Sequence, residues 1–262
     1  MNPTTLEIRR PSPQVAEVWL NRPEVRNAFN DGVVAELTAA FADFAADEAL
    51  RVVVLGGRGK AFCAGADLGW MRAMAAYSWD ENQADAARLA EMLWTVWRCP
   101  VPVIGRLHGD CYAGGVGLAA VCDVLVAADG MQFCLSEARL GLLPATIGPY
   151  VVRALGEQAS RRYFVTAERF SAAEAKALGF VHECVARRGA GRQGRRTRRG
   201  DRRQRPGRPV RACKRLVQDL AGREIDAALR ADTARRIADA RAGSEGREGV
   251  SAFLGKRDPA WR

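Results

Sequence analysis

The chain has 262 residues, 48% of them apolar, a net charge of +10, seven cysteines and two histidines. That length holds one large domain, or one domain with an appendage, and that apolar share supports a substantial core. No stretch approaches the roughly 18 uncharged apolar residues of a membrane span, no hydrophobic leader opens the chain, and no CxxC or HxxxH spacing suggests a metal site; a cytoplasmic protein with reduced, mostly buried thiols is expected.

In chain order, residues 5–10 and 15–20 alternate as a strand pair around Pro11-Ser12-Pro13. A helix from Asn30 or Asp31 to Ala46 follows, with Val34, Leu37, Phe41 and Phe44 on one face. Arg51–Gly56 reads as a buried strand, so strand, helix and strand form a crossover unit. Next come glycines at a strand end, Asp67 and Leu68 entering a helix, and a long helix over 80–98 stopped by Cys99-Pro100. Val101–Leu107 and Val124–Ala127 read as strands, and Gln132–Leu135 as an extended piece. Helices are expected at 147–156, 158–166 and 172–178, a last strand at 180–185, and helices at about 209–220, 225–241 and 248–254. The sum is an α/β architecture with an all-helical C-terminal part.

Between Tyr112 and Glu137, a glycine-dense turn (Ala113-Gly114-Gly115-Val116-Gly117) opens a small-residue helix, a strand follows, and then a single carboxylate. Glycine permits close backbone approach, and a helix start presents free N–H groups at the positive end of a dipole. An oxyanion fits there, with Glu137 available to move a proton. His108 and Asp123 read as structural groups, and neither Cys63 nor Cys111 is paired with a base.

The motifs NRPEVRNAFN, GRGKAFCAGADL, GDCYAGGVGLAAVCD, SEARLGLLPATIGP, RRYFVTAERFSAAEAKALGFVHE and EGREGVSAFLGKRDPAW resemble the enoyl-CoA hydratase/isomerase (crotonase) family. The resemblance implies a spiral of ββα turns, a homotrimer or dimer of trimers, and an acyl-CoA thioester as substrate. Coenzyme A is then part of the substrate, and no separate cofactor or metal is implied. The backbone N–H groups of Ala66 and Gly114 would form the oxyanion hole, and Glu137 would be the acid/base. Arg26, Ala28, Ala64, Asp67, Leu68, Phe253 and Lys256 would contact coenzyme A. The best-known hydratases carry a second glutamate where this chain has Gly117. The chain therefore fits a hydratase working with one carboxylate, or an isomerase in which Glu137 shuttles a proton between the α and γ carbons. The run from Phe133 to Gly156 most resembles hydratases of branched unsaturated acids, of the methylglutaconyl-CoA and carboxygeranoyl-CoA type.

The expected organisation is a spiral core over 1–186, an anomalous segment at 187–208 and a helical oligomerisation region over 209–262. The middle segment holds eleven arginines and one aspartate, and so carries the whole net charge of +10. Without apolar periodicity it reads as a disordered or solvated tract, or as a GC-rich gene read out of frame between two compensating indels. Without aromatics or a binding module, any nucleic-acid binding by it would be non-specific and salt-sensitive. A family member that only binds acyl-CoA is the other non-catalytic reading.

Overall fold

Strand β2 (Val15–Leu20) anchors the sheet because it has almost no polar face: Val15, Ala16, Val18, Trp19 and Leu20 are all buried. It pairs antiparallel with β1 (Leu6–Ser12) and parallel with β3 (Val52–Gly57), which is buried along its whole length. A parallel pair needs a crossover, supplied here by α1 (Asp31–Ala46). The Asn30 side chain caps α1 by accepting from the Val33 N–H, so the helix starts at Asp31. A computed structural model describes residues 4–186 and 207–261. The arginine-rich segment, read from the sequence as a disordered tract or as a stretch out of frame, lies outside the described residues but for its last two positions.

Parallel pairing continues from β3 to β4 (Val103–Leu107), β6 (Val124–Ala128) and β9 (Glu183–Val185), completing a six-stranded sheet in the order β1-β2-β3-β4-β6-β9. A second sheet of three short strands, β5 (Cys111–Tyr112), β7 (Gln132–Cys134) and β8 (Arg169–Ser171), lies in the order β5-β7-β8. Helices α2 (Leu68–Met74) and α3 (Trp79–Arg98) join β3 to β4, and α4 (Gly114–Ala120) joins β5 to β6. Then come α5 (Gly148–Leu155), α6 (Glu157–Thr166) and α7 (Ala172–Ala177). The core gathers Leu37 and Phe41 of α1, Met92, Leu93 and Val96 of α3, and Val116 and Leu118 of α4 against the inner faces of both sheets. The expected helical face of α1 is the buried one.

Several boundaries differ from the sequence reading. The last strand begins at Glu183 because the Phe180 and Val181 N–H groups bond back to the Ala175 carbonyl, closing the turn after α7. Ile147 caps α5 instead of joining it. Strands β5 and β8 had no sequence signal, being two and three residues long. Asp123 and the two histidines are structural. The Asp123 carboxylate accepts from the Val103 N–H at 2.7 Å, His182 Nδ1 accepts from the Leu125 N–H at 3.0 Å, and a ring nitrogen of His108 lies 2.9 Å from the Gly59 carbonyl.

Described residues beyond 206 form a separate unit. It contains α8 (Gly207–Leu220), α9 (Ala227–Ala242) and α10 (Ser244–Leu254). Arg236 joins Asp219 of α8 to Asp232 of α9, at 2.9 and 2.7 Å. Arg257 grips Glu248 with both terminal guanidinium nitrogens and, with the Ala260 N–H, holds the Glu248 carboxyl down at about 2.

Candidate active site

Three pieces of chain meet at the glycine turn. The first is residues 26–29. Arg26 and Asn27 both have positive φ, 55° and 57°, which bends this segment sharply after the Pro23–Val25 turn. Asn27 is buried, and its side chain holds the bend: Oδ1 accepts from the Arg22 N–H, and Nδ2 donates to the Arg58 and Ala61 carbonyls at 2.8 and 2.9 Å.

The second piece, residues 63–67, lies alongside. The Ala64 N–H donates to the Arg26 carbonyl at 3.1 Å. The Phe29 N–H donates to the Gly65 carbonyl and the Phe29 carbonyl accepts from the Asp67 N–H, both at 2.7 Å. Backbone N–H groups alternate in direction along an extended chain. Residues 65 and 67 face Phe29, so the Ala66 N–H faces the other way. Asp67 locks this end of the strand. Its carboxylate caps α2 through the Gly69 and Trp70 N–H groups and pairs with Arg22 at 2.8 Å, while the second Arg22 nitrogen donates to the Ala28 carbonyl. Burial raises the Asp67 carboxyl, but these hydrogen bonds outweigh it and hold the group below the usual carboxylate range.

The third piece is the turn itself. Ala113 has φ 46° and ψ −119°, a conformation natural to glycine and strained for alanine. Its N–H is tied to the Cys134 carbonyl at 2.8 Å, which fixes where α4 begins. Gly114 is the first residue of α4, so its N–H has no partner within the helix. The glycines let this turn sit directly on the second piece. A Cβ on Gly115 would lie 2.7 Å from the Cys63 carbonyl oxygen, and one on Gly114 would lie 3.1 Å from the Phe29 ring. Among the described residues, neither the Ala66 nor the Gly114 N–H has a backbone acceptor. Two free donors on abutting backbones, one at the positive end of a helix, suit an oxygen that gains negative charge.

Glu137 follows strand β7, three residues past Cys134, and opens a short 3₁₀ turn over Glu137–Leu140. The Leu142 N–H closes onto the Glu137 carbonyl at 3.0 Å. The side chain is half-buried, and its Oε2 is buried without a hydrogen-bond partner among the described residues. Burial therefore pushes the carboxyl up, and only a hydrogen bond from its own backbone opposes this. A carboxylate that is costly to ionise and not held by a partner suits a group that takes and gives back a proton.

The fold thus gathers Arg26, Ala28, Ala64, Ala66, Asp67 and Leu68 on two adjoining segments, beside Gly114. Arg26 and Leu68 are exposed, and Ala28 is buried. Phe253, at the end of α10, and Lys256, in the turn beyond it, belong to the other unit, and the Phe253 side chain is 82% exposed. Cys63 and Cys111 are fully buried, and burial pushes the Cys63 thiol up to about 12 and Cys111 well above its ordinary value. Neither is poised as a nucleophile. Arg22 and Asn27 were not singled out by the sequence; the only signal was the turn-forming Asn21-Arg22-Pro23. Among the described residues, no group of three or more His, Cys, Asp or Glu is placed to hold a metal ion, and no helix is long and apolar enough to cross a membrane.

Known proteins resemble this chain in sequence and in fold. "Enoyl-CoA hydratase ACTT6" of Alternaria alternata is 36% identical over 169 residues, which is 63% of this chain and 53% of that protein. "Enoyl-CoA hydratase domain-containing protein 2, mitochondrial" of Bos taurus is 35% identical over 178 residues, 67% of this chain and 59% of its own length. The chain thus matches less than two thirds of the length of these curated relatives. Solved structures match over nearly their full extent. An enoyl-CoA hydratase of Mycobacterium smegmatis superposes with a TM-score of 0.93 at 36% identity, covering 98% of both chains. Pseudomonas aeruginosa AtuE does so with a TM-score of 0.93 at 37% identity, covering 98% of this chain and 99% of its own. The family model "Enoyl-CoA hydratase/isomerase" matches residues 11–262, and the chain belongs to that family.

Proposed function

We propose that the protein adds water across the double bond of an α,β-unsaturated acyl-CoA. The reading is supported by two acceptor-free N–H groups on adjoining segments, at Ala66 and Gly114, and by the buried, unpartnered carboxylate oxygen of Glu137. Glu137 takes a proton from water as its oxygen bonds to the β-carbon. The π electrons move onto the thioester oxygen as an enolate, which the two N–H groups stabilise. Donors of this kind are worth about 3–4 kcal/mol each in other oxyanion holes. Collapse of the enolate then draws the same proton from Glu137 onto the α-carbon, and the carboxylate is regenerated. Arg26, Ala28, Ala64, Asp67, Leu68, Phe253 and Lys256 are proposed to hold the coenzyme A portion, and the working unit is proposed to be a homotrimer or a dimer of trimers. No other cofactor enters these steps.

The proposed acyl group is branched and methylglutaconyl-like, on the strength of the Phe133–Gly156 sequence. Gly117 favours one alternative: with Glu137 as the sole candidate acid, proton shuttling between the α and γ carbons needs the same residues and no water. A panel of crotonyl-CoA, 3-methylglutaconyl-CoA and a 3-enoyl-CoA separates these readings. The expected result is hydration, fastest on 3-methylglutaconyl-CoA. Turnover of the 3-enoyl-CoA alone would establish the isomerase, and binding without turnover a non-catalytic acyl-CoA carrier.

A further inference from the structure

Position 117 lies one turn into α4, on the same helix face as Gly114. A side chain there would project beside the oxyanion donor, and in this protein that space is already filled. A Cβ built on Gly117 would press into Ile147 Cγ2 and come within 2.6 Å of Ile147 Cβ. These are the near atoms of a β-branched side chain, with little freedom to swing away. Ile147 is 2% exposed. Its backbone is pinned as well, because its carbonyl accepts from the Tyr150 and Val151 N–H groups, at 3.1 and 3.0 Å, where α5 begins at Gly148-Pro149.

We infer that Ile147 is a specificity-determining residue: it fills the space that a side chain at position 117 would need, and so keeps a second acid out of that position and restricts the site to chemistry that Glu137 can do alone. The inference rests on the proposed acyl-CoA reaction for its functional consequence, but its packing part does not. An acid at 117 cannot be accommodated by that substitution alone. It requires Ile147 to shrink too, so the two positions are coupled and their effects are non-additive.

The test is a double-mutant cycle on the full chain, using Gly117→Glu, Ile147→Ala and both together. It is read by thermal unfolding and by hydration of crotonyl-CoA. Gly117→Glu alone is expected to lower the melting temperature and to lose turnover, because a carboxylate is forced against a buried aliphatic wall. The double variant is expected to recover most of the lost melting temperature. It should also hydrate crotonyl-CoA about 10²-fold or more faster than Gly117→Glu, within the range by which a placed acid/base group accelerates reactions, about 10²–10⁴. A Gly117→Glu protein as stable and active as wild type would overturn the inference. So would a double variant that melts like wild type yet gains no hydration over Gly117→Glu. Absence of all acyl-CoA turnover in the wild type would instead count against the proposed reaction, and additive melting shifts would still overturn the coupling.

Discussion

Glu137→Gln is expected to lower kcat for acyl-CoA hydration by about 10³-fold or more while leaving acyl-CoA affinity unchanged. A positioned acid/base contributes about 10²–10⁴, and in the proposed reaction one group serves both proton transfers, so both halves of the reaction fail together. The proposal places acyl-CoA binding on other residues, so calorimetric titration with a non-reactive acyl-CoA should still saturate. The same substitution should raise the melting temperature at pH 7. Burial raises the Glu137 carboxyl above its ordinary 4.5, so between 4.5 and the raised value the folded protein binds more proton than the unfolded one. The contribution of this group to stability is then full below 4.5 and is lost as pH rises through the folded value. At pH 7, above the ordinary value, burial makes the ionised carboxyl costlier in the folded protein than in the unfolded one, and a neutral amide removes that cost. Activity follows the opposite sign, because the ionised form accepts the proton, so the acidic limb of kcat moves upward from 4.5. Retention of kcat within tenfold in Glu137→Gln would show that another group moves the proton.

Gly115→Ala is expected to cut kcat about 10²-fold with the Glu137 side chain untouched. The added Cβ would stand 2.7 Å from the Cys63 carbonyl oxygen and 2.9 Å from the Cys63 Cβ, so backbone must give way. The yielding segments carry the two donors, one residue before the substitution at Gly114 and three residues after Cys63 at Ala66. A displacement of about 1 Å in reacting geometry costs on the order of 10² in rate. Overpacking a buried contact costs typically 1–3 kcal/mol of stability, so the melting temperature should fall as well. Kinetics on crotonyl-CoA and thermal unfolding check both effects. A stable variant with an unchanged kcat would mean that the close approach of α4 to residues 63–66 does not set the donor geometry.

These two substitutions also mark what the sequence reveals and what it conceals. Gly114 and Glu137 stand out as candidates because each sits in a local motif whose residue types match a chemical need, a helix start and a lone carboxylate after a strand, whereas Ala66 is a candidate only through the family resemblance. Helices α1 and α3 are legible from apolar spacing, and the capping Asn30 confirms the first boundary. Strands β5 and β8 are not, because strands of two and three residues exist only through their partners. The Arg22–Asp67 pair escapes for the same reason. It joins a turn residue to a helix cap far along the chain, and neither residue type is informative alone. Asn27 resembles any loop asparagine until its burial and its bonds to the Arg58 and Ala61 carbonyls are seen. Gly117 shows the limit best. The sequence says that no side chain stands there, and only the packing says that Ile147 keeps one out.

The most direct test of the central claim is mass spectrometry of an α,β-unsaturated acyl-CoA incubated with the protein in H₂¹⁸O. The account predicts a 3-hydroxyacyl-CoA heavier by one water and carrying one ¹⁸O, formed by the wild type and not by Glu137→Gln. An acyl-CoA recovered without ¹⁸O, whether unchanged or with its double bond moved, would contradict it.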